Sequence, residues 1–348
     1  MQELKVVFVG FGTVGRGCAR YLAANRRHLE SSHGLRCKVV AITDLKAGWV
    51  ENREGIGLAA AIDAVDRGGR LSELPLDRPE GRSSIEVIKA SKADVLVEST
   101  WTNLKDGEPG LSHIIAALES GMDVVTSNKG PLALAFRRLK AIAKDTRRQL
   151  RFESTVMSGS PVFSMCEAGL AGARILRIRG ILNGTTNYIL TEMAAGKSYA
   201  QALRCAQELG YAEADPTGDV EGYDPAAKIA ILANALMGAD EPYAGVNRVG
   251  ITSIRTEDIE RAACESKRIK LIASASKSPD GRVELSVKPA LIPETDILAH
   301  VSGIMNALQI TTDAQPDVTI IGPGAGGDSA GYGLVNDLVS IHHGRLSS

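Results

Sequence analysis

The sequence predicts an α/β protein in which a parallel sheet covered by helices is followed by a second domain of the α+β class. Two observations carry this prediction. In the first 150 residues short apolar runs alternate with helical patterns, whereas RILRIRGILNGTTNYIL (174–190) contains a stretch in which apolar and polar residues alternate. Apolar runs separated by helices indicate βαβ units, and alternation indicates a sheet with one exposed face. A chain of 348 residues is also long enough for two domains.

Five strands are predicted in the first domain, with helices between them. The strands are KVVFVG (5–10), KVVAITD (38–44), ADVLVEST (93–100), MDVVTSNK (122–129) and LRFEST (150–155). One predicted helix follows the first strand and ends near residue 30, and two more lie around 111–120 and 131–145. Residues 48–84 are rich in glycine, arginine and aspartate, and we expect a surface excursion there.

The second domain is predicted to combine further helices with strands. We expect a strand and a helix within 174–190, helices at about 198–209 and 225–237, and strands at 282–292 and 317–322. The last segment, GPGAGGDSAGYGLVNDLVSIHH, reads as a glycine loop and a helix that return to the first domain. The predicted domains are therefore 1–150, completed by about 315–348, and 151–314.

Composition excludes several classes of protein. The net charge of −1 provides no field for nucleic acid or for an anionic membrane, and no apolar run approaches the roughly 20 residues of a membrane span. The five cysteines are scattered and lack CxxC spacing, which fits a reducing cytoplasm better than a disulfide framework or a zinc site. With the first strand predicted from Lys5, we also expect no signal peptide.

The segment GFGTVGRG has G-x-G-x-x-G spacing after a predicted strand and at the start of a predicted helix. Gly10 permits a tight turn, Gly12 lets a pyrophosphate approach the backbone, and Gly15 lets helix and strand pack closely. The helix N-terminus offers N–H groups to phosphates. The sequence therefore predicts a Rossmann-type, doubly wound sheet that binds NAD or NADP through Gly10, Phe11, Gly12, Thr13, Val14 and Gly15.

Asp44 ends the second predicted strand. A carboxylate there would accept hydrogen bonds from the ribose hydroxyls and disfavour a 2′-phosphate, so it favours NAD. Lys46 lies nearby and would suit a phosphate instead. A turn-capping role explains Asp44 equally well.

Lys129 follows another predicted strand, in TSNKG (126–130), just before Pro131, which suits the first position of a helix. Ligands gather at the carboxyl ends of parallel strands, so this lysine could bind an anionic substrate or move a proton. A solvated loop lysine is an equally good interpretation.

An acidic stretch precedes a lone lysine in GYAEADPTGDVEGYDPAAKIAILANALMG (210–238). Asp224 and Pro225 are predicted to be the N-cap and first residue of a buried helix, with Lys228 in its first turn. A buried ammonium is costly unless paired, and the preceding carboxylates could pair with it. Lysine suits proton transfer because its pKa responds to its surroundings. The alternative is a lysine whose head reaches solvent beside an acidic surface loop.

Five segments stand in the order, and at about the spacing, of homoserine dehydrogenases: GFGTVGRG, TSNKGPLAL, LNGTTNYIL, GYAEADPTGDVEGYDPAAKIAIL and GPGAGGDSA. The chain therefore resembles this family over nearly its whole length. The resemblance implies NAD- or NADP-dependent interconversion of L-homoserine and L-aspartate 4-semialdehyde, in threonine and methionine biosynthesis. It also implies a homodimer formed through the second domain, which would be the catalytic and dimerisation domain.

The resemblance also implies roles for individual residues. Lys228 matches the proton donor, and Lys129 and Asp219 match further active-site residues. The implied substrate contacts are Glu213, which would hold the amino group, with Asp219, Asp224 and Thr185. The implied cofactor contacts beyond the glycine loop and Asp44 are Thr100, Lys129 and Gly326. Glu153 and the backbone around Val156, Ser158 and Ser160 match a loop that holds sodium in some members.

One departure from the family stands in VMSGSP (156–161), where many members have VGGG-P or VGAG-P. This puts the metal and fine substrate specificity in question and leaves open a related reductase of another amino-acid semialdehyde. A non-catalytic dinucleotide-sensing protein is a second alternative, although no basic helix-turn-helix segment supports it. Since the chain ends at 348, we expect the short form of the family, without a C-terminal regulatory domain.

Overall fold

The computed structural model describes residues 2–77 and 81–346, which form two compact units. Unit 1 is Met1–Gly159 with Gly326–Ser348, and unit 2 is Ser160–Ala325. The predicted boundaries at 150 and 315 therefore differ from the observed ones. The second differs because the strand at 318–323 pairs within the sheet of unit 2.

Unit 1 contains a six-stranded sheet in the order β3-β2-β1-β4-β5-β6. Its strands are β1 (Gln2–Val9), β2 (Leu35–Asp44), β3 (Gly48–Glu51), β4 (Val95–Glu98), β5 (Asp123–Thr126) and β6 (Leu150–Arg151). All pairings are parallel except that of β3 with β2. The order reverses between β1 and β4, and a crevice at such a reversal is where doubly wound sheets bind ligands. The predicted parallel sheet is confirmed.

Seven helices surround this sheet in the described part of unit 1. They are α1 (Thr13–Ala24), α2 (Arg26–His33), α3 (Leu58–Asp66), α4 (Ser84–Ser91), α5 (Gly110–Glu119), α6 (Lys129–Asp145) and α13 (Gly327–Leu346). Helix α13 packs on α1 through glycines: a Cβ on Gly17 would lie 2.4 Å from the Gly327 carbonyl oxygen, and one on Gly331 would lie 2.3 Å from the Cys18 nitrogen. The C-terminal helix thus belongs to the first unit, as predicted.

Residues 48–84 are not the surface excursion that their composition suggests. Within the described residues they include β3, α3 and a 3₁₀ turn, and Val50, Ile62 and Leu71 join the core of unit 1. The prediction was wrong because it rested on the average composition of the segment. A few apolar residues are enough to anchor it in the core, and their burial stabilises it. Residues 78–80 of the predicted segment lie outside the described residues.

Unit 2 contains a second six-stranded sheet, in the order β12-β11-β7-β9-β10-β8. The strands are β7 (Ile175–Ile181), β8 (Asn247–Arg248), β9 (Lys267–Lys277), β10 (Val283–Pro293), β11 (Met305–Thr312) and β12 (Val318–Pro323). The pairings are antiparallel except that of β8 with β10. Strands β8, β9 and β11 are absent from the sequence prediction, which identified β7, β10 and β12.

Six helices of unit 2 complete the α+β architecture in the described residues. They are α7 (Phe163–Gly169), α8 (Gly184–Ala194), α9 (Tyr199–Glu208), α10 (Thr217–Val220), α11 (Tyr223–Leu236) and α12 (Thr256–Cys264). Helix α11 is buried on nearly all sides from Pro225 to Ala233 and packs on β9 and β10. Among the described residues, no helix is long and apolar enough to cross a membrane.

Candidate active site

The glycine loop of unit 1 has the geometry that its spacing predicts. Gly10 has φ of +91°, and a Cβ there would lie 2.6 Å from the Ser99 carbonyl, so only glycine fits. A Cβ on Gly15 would lie 2.4 Å from the Gly10 carbonyl oxygen. These two glycines bring the start of α1 close to the ends of β1 and β4.

Gly12 differs from its neighbours because a Cβ built on it would meet no atom within 4 Å. The protein itself therefore does not require glycine here, whereas a ligand approaching the backbone would. Gly12 is the N-cap of α1, no side chain caps this helix end, and its first turn contains no acidic residue. The open helix N-terminus and the open space beside Gly12 fit the pyrophosphate of a dinucleotide.

The Asp44 carboxylate accepts hydrogen bonds from backbone amides in and near the glycine loop. Its Oδ2 accepts a hydrogen bond from the Phe11 amide at 2.8 Å, and its Oδ1 accepts from the Lys46 and Ala47 amides, each at 2.8 Å. The turn-capping interpretation of Asp44 is thus confirmed. A carboxylate offers about four lone-pair sites, so these bonds leave limited capacity for a ribose hydroxyl.

A buried polar ring lies at the carboxyl ends of β4 and β5. The fully buried Glu98 carboxylate accepts hydrogen bonds from the Thr100 hydroxyl and, at 2.8 Å, from the Thr126 hydroxyl. Asn128 closes the ring by donating from its side chain to the Thr100 hydroxyl at 3.2 Å and from its backbone to the Thr126 hydroxyl at 3.0 Å. Burial raises the pKa of the Glu98 carboxyl. The sequence prediction missed Glu98, although an acidic residue in an apolar strand is a visible signal.

Lys129 follows this ring directly. Asn128 is the N-cap of α6, and its side-chain oxygen accepts a hydrogen bond from the Gly130 amide at 3.1 Å. Lys129 is therefore the first helical residue, and Pro131 is the third rather than the predicted first. Proline is tolerated there because N–H groups in the first turn have no intrahelical partner.

The four residues predicted to form the sodium loop are all buried, namely Glu153, Val156, Ser158 and Ser160. Met157 and Ser158 have φ of 57° and 56°, the left-handed conformation that glycine adopts readily. This conformation costs a non-glycine residue about 1–2 kcal/mol. The binding of sodium stays a prediction.

Lys228 lies in unit 2 on the second turn of α11 and is only 6% exposed. Its ammonium donates to Asp224 Oδ2 at 2.7 Å and to the Leu182 carbonyl oxygen at 2.7 Å. The helix begins at Tyr223 after Gly222, whose φ is 78°. Asp224 and Pro225 are thus its second and third residues, and the predicted N-cap role of Asp224 is wrong. Inside the first turn, the Asp224 side chain reaches Lys228 one turn later.

Asp219 belongs to the same cluster. Its Oδ1 accepts a 2.6 Å hydrogen bond from the side-chain amide of Asn183, which also donates to Asp224 Oδ2 at 2.9 Å. Burial, with a further contribution from the Asp224 charge, raises the pKa of the Asp219 carboxyl. Asn183 caps α8 and was not among the predicted site residues.

Thr185 and Glu213 are the other predicted substrate residues of unit 2, and Asp215 and Glu221 complete the acidic stretch before Lys228. The Thr185 hydroxyl donates to the Tyr211 carbonyl oxygen at 2.7 Å, and Glu213 is exposed. Asp215 accepts from the Thr217 amide at 3.1 Å, while Glu221 accepts from the Thr252 hydroxyl at 2.8 Å. Of the five carboxylates before Lys228, two therefore stabilise the loop and two join the lysine cluster.

A doubly wound sheet with an open glycine loop, in a chain that also buries a lysine beside carboxylates, defines the class of NAD(P)-dependent oxidoreductases. Comparison with known families agrees. Residues 10–153 match the profile described as "Homoserine dehydrogenase, NAD binding domain", and residues 161–339 match "Homoserine dehydrogenase".

Individual relatives cover almost the whole chain. An "NAD(+)-dependent homoserine dehydrogenase" of Pseudomonas canavaninivorans is 41% identical over 98% of this chain and 97% of its own length. A homoserine dehydrogenase of Methanocaldococcus jannaschii is 40% identical over 98% and 99%. A hyperthermophilic archaeal homoserine dehydrogenase mutant in complex with NADPH superposes with a TM-score of 0.85, at 31% identity over 99% of this chain and 98% of its own. The chain belongs to the homoserine dehydrogenase family.

Proposed function

We propose that Lys228 is the proton donor in the interconversion of L-aspartate 4-semialdehyde and L-homoserine. NAD(P)H, when bound, would supply the hydride that the aldehyde carbon takes up. The Lys228 ammonium then gives a proton to the aldehyde oxygen, so that the C=O bond becomes a hydroxyl, and in the reverse direction the amine takes the hydroxyl proton. The observation that carries the proposal is the burial of this ammonium on α11, 2.7 Å from Asp224.

Burial and pairing together support this role. A buried ammonium without a counter-charge tends to lose its proton, whereas a nearby carboxylate favours the charged form. Asp224 supplies such a carboxylate, 2.7 Å from the Lys228 ammonium, and the lysine is only 6% exposed. A general acid in such a position contributes typically about 10²- to 10⁴-fold to the rate.

The other site residues are proposed to bind substrate. The exposed carboxylate of Glu213 would pair with the substrate ammonium, while Asp219 and Asp224 would border the reacting end and Thr185 would lie beside them. In unit 1, Lys129 would stabilise negative charge on the oxygen. Its location at the N-terminus of α6, where the helix dipole is positive, supports an interaction with an anionic group.

In unit 1, the glycine loop with Thr100, Lys129 and Gly326 is proposed to hold the cofactor, with NAD bound at least as well as NADP. Asp44 supports the use of NAD through its negative charge at the end of β2. Its three hydrogen bonds from backbone amides leave few lone pairs to accept a bond from a ribose hydroxyl. Replacing it with serine should move the ratio of dissociation constants towards NADP. Asp44→Asn, which keeps one acceptor oxygen for the Lys46 and Ala47 amides, separates loss of charge from loss of the turn.

One assay tests the proposed reaction. Purified protein is mixed with L-homoserine and either NAD or NADP, and the absorbance of the reduced nicotinamide is followed. We expect turnover with L-homoserine and with NAD at least as well as NADP. Turnover only with other short amino alcohols would reject homoserine as the substrate and would favour the related semialdehyde reductase that VMSGSP leaves open.

We further propose that the enzyme is a cytoplasmic homodimer formed through unit 2. Exposed apolar residues on its sheet support an interface, among them Leu176 at 41% and Ile321 at 46% exposure. Sedimentation equilibrium measures the mass directly, and a monomer at micromolar concentration would contradict the proposal.

A further inference from the structure

Asn183 lies between β7 and α8, where one side chain meets both carboxylates of the lysine cluster. It is 4% exposed. Its amide nitrogen donates to Asp219 Oδ1 at 2.6 Å and to Asp224 Oδ2 at 2.9 Å. Its oxygen accepts the Thr186 amide at 2.9 Å as the N-cap of α8. Every polar atom of this side chain is therefore engaged.

These contacts fix which way the amide points. Ionised carboxylates only accept hydrogen bonds and the Thr186 backbone amide only donates, so the NH₂ group must face the carboxylates. Asparagine is suited to this place because one uncharged nitrogen supplies two donors. A serine hydroxyl would supply one donor, and an aspartate would add a third negative charge.

The same peptide segment also holds the lysine. The carbonyl oxygen of Leu182, next to Asn183, accepts a hydrogen bond from Lys228 Nζ at 2.7 Å. Asp224 Oδ2 accepts hydrogen bonds from both Lys228 and Asn183. Leu182 thus holds the Lys228 ammonium directly, and Asn183 holds it indirectly through the carboxylate of Asp224.

We propose that Asn183 is a positioning residue for proton transfer, which holds Asp219 and Asp224 together in their ionised forms beside Lys228. The inference rests on the proposed function of Lys228. The charged groups of this cluster are Asp219 from α10 and Asp224 and Lys228 from α11, while α8 contributes the uncharged Thr185 and Thr186. The Asn183 hydrogen bond opposes the rise that burial and Asp224 produce in the pKa of Asp219.

Two substitutions separate this role from helix capping. Asn183→Ser keeps a good N-cap residue but loses the double donor. We expect kcat to fall about tenfold and the acidic limb of the kcat/KM profile to move to higher pH by about 0.5–1 unit, with little change in melting temperature. Asn183→Asp keeps the cap and adds a charge, so the same changes should be larger.

Asn187 provides a matched control on the same helix. It is 2% exposed, and its side chain bonds the Val301 and Met305 carbonyls rather than the carboxylate cluster. Asn187→Ala should lower the melting temperature and leave the pH profile in place.

The outcomes distinguish the inference from the proposed function on which it rests. A normal kcat and pH profile in Asn183→Ser, with a slow Lys228→Ala enzyme, would overturn the positioning role alone. A folded Lys228→Ala enzyme with near-normal kcat would overturn the proton-donor proposal, and the role of Asn183 with it.

Discussion

Unit 2 contains two lysines that are buried to nearly the same extent, but among the described residues only one of them pairs with a carboxylate. Lys228 is 6% exposed and Lys270, on β9, is 4% exposed. Lys228 donates to the carboxylate of Asp224, whereas Lys270 donates to the Asn187 side-chain oxygen at 3.0 Å and the Val301 carbonyl oxygen at 2.6 Å, both uncharged. Burial, with a smaller effect from Arg268, lowers the pKa of Lys270 from 10.5 to about 8.

The comparison shows that burial alone does not mark a functional lysine. Lys270 joins β9 to α8 and to the segment before β11, where neutral oxygens satisfy its N–H groups, so a structural role accounts for it. Lys228 sits beside a carboxylate that is itself held by Asn183. The counter-charge, supplied by Asp224 one turn earlier on the same helix, is the feature that suits Lys228 to exchange a proton with a substrate.

The largest effect is expected from replacing each lysine with alanine. Lys228→Ala should lower kcat about 10²- to 10⁴-fold with little change in KM, because a general acid is lost. Lys270→Ala should change kcat much less and lower the melting temperature, since a buried contact is removed. Steady-state kinetics and thermal unfolding of both variants measure this. Similar kcat losses in the two folded variants would remove the distinction between the lysines.

Gly12→Val should weaken cofactor binding and leave the catalytic lysine in place. It therefore provides a reference against which the kinetic loss in Lys228→Ala can be compared. A Cβ at Gly12 meets no protein atom within 4 Å, so the fold should tolerate it. A pyrophosphate approaching the backbone should not, and we expect NAD(P) affinity to fall about 10²-fold or more, which corresponds to about 3 kcal/mol. Calorimetric titration tests this with the melting temperature as control. Unchanged affinity would place the pyrophosphate elsewhere.

Asp224→Asn should make the surroundings of Lys228 resemble those of Lys270. The amide keeps the shape of the carboxylate but removes the charge that pairs with the ammonium. We expect kcat to fall about tenfold in steady-state kinetics, with the melting temperature as a control for folding. A folded Asp224→Asn enzyme with wild-type kcat would show that the charge of Asp224 does not matter for catalysis.

The smallest effect on catalysis is expected from Lys270→Met, which should instead change stability with pH. Because the pKa of Lys270 is lower in the folded state, its buried charge destabilises the protein below about pH 8, and this cost is relieved as pH rises towards 10.5. Between about pH 8 and 10.5 the free energy of unfolding of the wild type should therefore increase by up to about 3 kcal/mol relative to that of Lys270→Met. Denaturant titrations at several pH values measure the difference. A difference that does not vary with pH would show that Lys270 is not buried in its charged form.

The sequence predicted what local patterns determine. The glycine loop, the parallel strands and the unusual lysine in α11 are all encoded within short segments. The start of α11 was misplaced because Asp-Pro also fits the second and third positions of a helix. Strand β9 was missed because charged residues such as Lys270 interrupt its apolar pattern.

The polar partners were harder to predict, for a different reason. Asn183 lies 36 and 41 residues from the two carboxylates that it joins, and Glu98 meets Thr126 across neighbouring strands. Such contacts depend on how separate segments pack, which neither spacing nor composition specifies. A polar residue within an apolar run was the available signal in each case, and it indicates burial without indicating the partner.

Lys228→Arg tests the central claim most directly. Guanidinium keeps the positive charge and can pair with Asp224, but it does not release a proton near neutral pH. If Lys228 transfers a proton, kcat should fall at least about 10²-fold while NAD(P) affinity and melting temperature remain near those of the wild type. If a folded Lys228→Arg enzyme retains more than about a tenth of wild-type kcat, the positive charge alone is sufficient and the proton-donor role is wrong.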